Sequence, residues 1–153
     1  MARPSSRLLN LGARSPLASL WTRAHAALYR RTGGRVLGRW FGGPVLVLEV
    51  VGRKSGRVRR TPLVRVEDGE NLVVIPANAG SDKMPAWWLN LRDAGEGWAI
   101  RGRRRDRVRP RVTEGAERER LLRLFVSVYP AMEDYAAFTN RDWPVVVLEP
   151  ADG

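Results

Sequence analysis

The sequence predicts a mainly β (α+β) domain: a small antiparallel barrel with short helices at its edge. Three observations carry that prediction. From residue 44 onward, β-branched or alternating runs of strand length recur, turn signals separate them, and helical periodicity is confined to short stretches. PVLVLEVVG (44 to 52) is a β-branched run, RTPLVRVED (60 to 68) alternates, and Asp68-Gly69 turns the chain into NLVVIPA (71 to 77). Three consecutive antiparallel strands follow. GWAIRG (97 to 102) and DRVRPRVT (106 to 113) read as a further hairpin with its arginines on the solvent face or turn, and WPVVVLEP (143 to 150) supplies a sixth strand.

The helices are read from spacing. Leu17, Leu20, Trp21, Ala24 and Leu28 form one stripe with Thr22, Arg23, His25 and Arg30 turned away, and Gly33-Gly34 ends the pattern. Ser81-Asp82 before Pro85 predicts the capped start of a short helix carrying Trp87, Trp88, Leu89 and Leu91. Residues 114 to 128 are expected to be helical around Leu121, Leu122, Phe125 and Val128, and a short helix should span about 131 to 139.

At 153 residues and 44% hydrophobic, the chain has material for one core. The division expected is a basic N-terminal arm with its amphipathic helix, residues 1 to 43, and a barrel domain, residues 44 to 150. Zero cysteines exclude thiolate chemistry, and the lone His25 argues against a Ser-His-Asp triad or a multi-histidine metal site, so no metal is expected. Residues 1 to 48 hold eight arginines and no acid, supplying +8 of the net +11. An anionic partner follows: nucleic acid, an anionic membrane or a polyanionic cofactor. With no membrane-spanning run and no secretory leader, the expected location is cytoplasmic, at the inner face of the cell membrane if the arm binds lipid.

Three segments carry the candidate chemistry. VGRKSGRVRRTPL (51 to 63) sets Arg53, Lys54, Arg57, Arg59 and Arg60 around two glycines, so backbone N–H groups, Ser55 and Lys54 can converge on an oxyanion. Walker spacing is absent, and a solvated basic hairpin is the competing explanation. In PAWWLN (85 to 90), Trp87 and Asn90 share a helix face, an indole beside an amide able to address the edge of a planar ring. Tyr129, Met132, Tyr135 and Phe138 recur every three residues and build one aromatic wall whose two phenols are candidate proton donors.

Gly-Arg-Lys-Ser-Gly-x-x-Arg, Thr-Pro-Leu, Asn-Ala-Gly-x-x-Lys-x-Pro-Ala-Trp-Trp-Leu-Asn, Tyr-Pro and a Val-rich strand ending Glu149-Pro150 occur in one order. That order, over about residues 44 to 150, resembles the deazaflavin (coenzyme F420)-dependent nitroreductase family. The resemblance implies a split β-barrel binding F420, an 8-hydroxy-5-deazaflavin with a phosphate, lactyl and glutamate tail. It implies that Lys54, Ser55 and Arg59 hold the phosphate and tail, and that Thr61 and Pro62 lie along the ring. Ala77, Asn78, Ala86, Trp87 and Asn90 would complete the ring pocket, with Lys83 closing the loop. The chain departs from the family's nitroimidazole-activating pattern, with Ala77-Asn78 in place of Ser-Lys and with Val64 and Met132 in place of tyrosines.

The function expected is therefore F420-dependent hydride transfer to a planar, electron-poor acceptor such as a quinone. Tyr135 is the first candidate proton donor and Tyr129 the second; Val64, Met132 and Tyr135 would touch the substrate. Two alternatives stand beside it: an FMN-binding split barrel, and a basic module that binds nucleic acid or anionic membrane without catalysis. The arginine hairpin lacks the interleaved aromatics that base stacking needs, which disfavours nucleic acid. Oligomeric state is not legible. An acceptor dissolved in lipid would give the N-terminal helix, with its apolar stripe and arginines, a place at the membrane surface.

Overall fold

The structure is a computed structural model that describes residues 39–40 and 43–151, together with Leu20, Arg23, Ala24, Ala27, Leu28 and Arg31. Those six N-terminal positions are helical and exposed. The remainder of the expected N-terminal stripe, with Leu17, Trp21 and the Gly33-Gly34 stop, lies outside the described residues.

Among the described residues, eight strands form one curled antiparallel sheet: β1 (Arg39–Trp40), β2 (Gly43–Val51), β3 (Val58–Val64), β4 (Val66–Asp68), β5 (Asn71–Val74), β6 (Gly97–Arg101), β7 (Arg104–Val112) and β8 (Val146–Pro150). Their order is β1-β2-β6-β7-β8-β5-β4, with β3 on the other side of β2. The single strand expected over 60 to 68 is two strands, because the run changes partners at Arg65. Before it, Val58 to Val64 pair with Val51 to Val45 of β2; after it, Val66 to Asp68 pair with Val73 to Asn71 of β5. Arg65 itself donates its N–H to Pro44 O at 2.9 Å. One continuous segment thus borders both ends of the ladder, and the sheet curls into the expected split barrel.

From residue 43 onward the α-helices are α1 (Ala86–Ala94), α2 (Gly115–Val128) and α3 (Ala131–Ala136). α1 starts later than its expected cap. Pro85 occupies the N-cap position, while Ser81 is buried and its hydroxyl accepts from the Lys83 N–H at 3.3 Å. Gly95, at φ 74°, ends α1 in the left-handed conformation that glycine adopts at little cost.

Among the described residues, the two larger hydrophobic clusters use opposite faces of the sheet. Leu46, Leu48 and Val50 of β2 pack with Leu72, Val74, Val146, Leu148, Trp87, Trp88 and Leu91, so α1 plugs the barrel interior. Val73, Ile75, Val145 and Val147 pack with Leu121, Phe125, Tyr129 and Met132 of the α2–α3 region. Strand alternation explains the division, since Val73 and Val147 face away from their neighbours Leu72, Val74, Val146 and Leu148. Each fully buried aliphatic side chain contributes on the order of 1.5–3 kcal/mol.

Arg103, Arg104, Arg105 and Arg109 of the arginine hairpin are exposed, as expected, but most of the hairpin's arginines are ion-paired. Arg101 pairs with Glu67 and Asp106, Arg104 with Asp106, Arg105 with Glu49, Arg107 with Glu96, and Arg111 with Glu117 and Glu149. Arg105 also stacks 3.7 Å above the Trp98 ring. Five of its seven arginines are thus paired with carboxylates of the fold.

Candidate functional site

The hairpin between β2 and β3 is closed by Gly52 N–H to Arg57 O and Gly56 N–H to Gly52 O, both 2.8 Å. Gly56 sits at φ 66°, and a Cβ on Gly52 would lie 2.7 Å from Ser55 Oγ and 3.3 Å from Arg57 O. Gly56 is therefore required by the turn, whereas a Cβ at Gly52 would displace the Ser55 hydroxyl. Its five cations divide by partner. Arg60 pairs with the buried Glu49 at 2.8 Å, which also receives Arg105. Arg53 gives its backbone N–H and its guanidinium to Asn90 Oδ1 at 3.1 and 3.0 Å. Arg59 reaches Ser55 Oγ at 3.3 Å, and the Arg57 N–H reaches the same oxygen. Among the described residues, Lys54, Arg57 and Arg59 form no salt bridge.

β3 leads from this hairpin directly into a cleft of about 290 Å³ where the two hydrophobic clusters meet. Thr61, Pro62, Leu63 and Val64 form one side, Ile75, Ala77, Asn78 and Ala79 a second, Pro85 and Trp87 a third, and Phe125, Tyr129, Met132 and Tyr135 the last. The lining is mostly apolar, with Thr61, Asn78 and the two phenols as its polar side chains. Such a surface takes a flat, weakly polar ring and fixes it with few hydrogen bonds.

The phenols of Tyr129 and Tyr135 are 2.9 Å apart and share a hydrogen bond. Their rings are 6.2 Å apart and tilted by 58°, and Phe125 stands edge-on to Tyr129. Burial, reinforced by the bond to Tyr135, pushes the Tyr129 pKa well above the usual tyrosine value. Tyr129 therefore remains a neutral phenol at any physiological pH.

Of the residues expected at the site, Thr61, Pro62, Val64, Ala77, Asn78, Trp87, Tyr129, Met132 and Tyr135 all line this cleft. Lys54, Ser55 and Arg59 lie outside it on the exposed hairpin. Lys83 and Ala86 are exposed and are not among its lining residues; the Lys83 carbonyl accepts from Asn78 Nδ2 at 3.0 Å. Asn90 is buried, its amide oxygen turned toward Arg53, so it anchors the hairpin to α1. Sequence reasoning missed Arg141, whose guanidinium bonds the loop after β5; no local pattern marks an arginine sixty residues from its partners.

Comparison with known proteins agrees with this geometry. The sequence profile of the F420H(2)-dependent quinone reductase family matches residues 21–150. A Mycobacterium tuberculosis (strain ATCC 25618 / H37Rv) protein named for F420H(2)-dependent quinone reduction is 34% identical over 107 residues, 70% of this chain and 90% of that one. The solved structure of an F420-H2 dependent reductase (FDR-A) superposes with a TM-score of 0.64 at 31% identity, covering 69% of this chain and 94% of that one. A second solved structure, described as a domain-swapped dimer, gives 0.66 at 28% identity over 88% of this chain and all of that one. The chain belongs to the F420H(2)-dependent quinone reductase family.

Proposed function

We propose that this chain holds F420 with its tail on the β2–β3 hairpin and its ring in the cleft, and reduces a quinone there. The observation that carries the proposal is the division of charge along β3. Arg53, Lys54, Arg57 and Arg59, four cations with no carboxylate partner among the described residues, sit at one end of the strand, and an apolar cleft with two phenols sits at the other. A tail bearing phosphate and carboxylates suits the first, and a fused planar ring the second. FMN, with a single phosphate, would leave much of that cationic charge unmatched.

Reduced F420, when bound, supplies the hydride. The chain's own residues do the rest. Lys54, Arg59 and the Ser55 hydroxyl meet the phosphate and tail with charge-assisted bonds. Thr61, Pro62, Ala77, Asn78 and Trp87 border the ring, while Ala86 and Lys83 border the rim. The apolar walls, Val64 and Met132 among them, exclude water and orient the acceptor. Tyr135 holds a proton at its phenolic oxygen for the acceptor oxygen that becomes a hydroxyl, and Tyr129 orients Tyr135 through their shared hydrogen bond. With fewer directed polar contacts than a nitroimidazole would need, the cleft favours quinones over nitro compounds. We assign the N-terminal arm a peripheral role at an anionic membrane, supported by Leu20 and Leu28, which are 62% and 42% exposed, and by Arg23 and Arg31, which are likewise helical and exposed.

Fluorescence titration with F420, its phosphate-free and tail-less analogue, and FMN tests the assignment. F420 should bind most tightly at low ionic strength and lose most of that advantage in high salt. Equal affinity for the tail-less analogue would contradict the role given to the hairpin.

A further inference from the structure

Arg141 follows α3, and its guanidinium is turned onto the loop between β5 and α1. Nη1 donates to Pro76 O at 3.1 Å and meets Met84 Sδ at 3.2 Å. Nη2 donates to Ala77 O at 3.0 Å and Ser81 O at 3.1 Å, and Nε donates to Ser81 O at 3.3 Å. Each of these partners is neutral, and the Arg141 backbone is itself fixed by its N–H to Thr139 Oγ1 at 3.1 Å. One side chain therefore binds both ends of the same loop.

The loop needs such a restraint. Asn78, Ala79 and Gly80 are consecutive left-handed residues at φ 49°, 51° and 77°. Two of them carry a Cβ, and such a conformation persists only where surrounding contacts determine it. A second contact comes from the opposite wall of the cleft: a Cβ on Gly80 would lie 2.8 Å from Tyr135 O and 3.2 Å from Tyr135 Cα. The loop backbone is thus seated directly on the turn that carries Tyr135. Asn78 and Tyr135 face one cleft from these two segments.

We infer that Arg141 and Gly80 form a clamp that sets the separation between the 77–79 wall and Tyr135, and that both are positioning residues for reduction. Only the kinetic consequence rests on the quinone-reductase reading; the clamp itself is a property of the chain without cofactor. Lysine cannot replace Arg141, because a single ammonium cannot satisfy carbonyls spread over three residues as a planar fork does.

The test uses the full chain with Arg141→Lys and Arg141→Ala. In the cofactor-free protein, amide hydrogen exchange is followed at Gly80 and Ser81, whose N–H groups bond Ala77 O and Asn78 O at 3.0 Å, with β2 amides as the internal reference. Exchange at these two sites should quicken by about tenfold or more in both variants while β2 is unchanged. In the loaded protein, quinone turnover should fall by roughly 10- to 100-fold, a larger loss than that in deazaflavin affinity, because the hairpin still holds the tail. Millimolar guanidinium should restore part of the turnover of Arg141→Ala. Unchanged exchange at Gly80 and Ser81, or quickening that extends equally to β2, overturns the clamp. Should the parent show no deazaflavin-dependent quinone turnover, the proposed function fails, and the exchange result still decides the clamp.

Discussion

Asn90 Oδ1 accepts two hydrogen bonds from Arg53, one from its backbone N–H and one from its guanidinium, and so fastens the cationic hairpin to α1. The same helix lines the cleft through Trp87. The β2–β3 hairpin is consequently tied to the cleft through a buried amide as well as through β3.

Replacing Asn90 by Ala leaves the Arg53 N–H without its acceptor and opens a small buried void, at a cost of about 1–3 kcal/mol. A lowered melting temperature and weaker F420 binding should appear together. Asn90→Asp should retain more of the binding, because a carboxylate still accepts from both donors. Unchanged F420 affinity in the alanine variant would show that the hairpin does not depend on this anchor.

Lys54→Ala with Arg59→Ala should act differently. Both side chains are exposed and form no salt bridge among the described residues, so apo-protein stability should shift by less than about 0.5 kcal/mol. F420 affinity should fall by about tenfold or more, and the dependence of affinity on salt should flatten. Thermal melts beside fluorescence titrations separate the two effects.

How much of this was legible in the sequence varies with range. Strand runs, the Gly56 turn and the aromatic spacing of Tyr129, Met132 and Tyr135 are local patterns, and each is found where its pattern puts it. The partner change at Arg65 left no local mark, because both halves of 58–68 alternate with the same period and differ only in which distant strand they meet. Asn90 could be placed on a helix face but not aimed, since the direction of an amide depends on a donor thirty-seven positions away. The ion pairing of the arginine hairpin was not legible, because its glutamates, Glu49, Glu67, Glu96, Glu117 and Glu149, are scattered over the chain.

Acid stability should report those ion pairs. Burial raises the Asp106 pKa, but hydrogen bonds from Arg101 and Arg104 outweigh it and hold the carboxyl below its usual value. The hydrogen bond from Arg120 lowers Asp68 likewise. Unfolded aspartates bind their protons at higher pH than these folded ones do, so stability should be full above about pH 4 and decline as pH falls through the lowered values. Denaturant melts from pH 6 to pH 2 should show that decline, and Asp106→Asn should flatten it.

Peripheral membrane association should depend on Leu20 and Leu28. Substituting both with Asp in the full chain should reduce co-sedimentation with vesicles containing anionic phospholipid at moderate ionic strength, without altering F420 affinity. Co-sedimentation equal to the parent's would remove the arm from that role.

The central claim is that this cleft reduces quinones with electrons from F420. The direct measurement is anaerobic steady-state turnover, following the return of oxidised F420 absorbance after reduced F420 meets either menadione or a nitroimidazole, in the parent and in Tyr135→Phe. The account predicts faster turnover with the quinone, and a Tyr135→Phe variant slowed by about tenfold or more with F420 affinity nearly intact. Faster nitroimidazole turnover, or a Tyr135→Phe protein as fast as the parent, would contradict it.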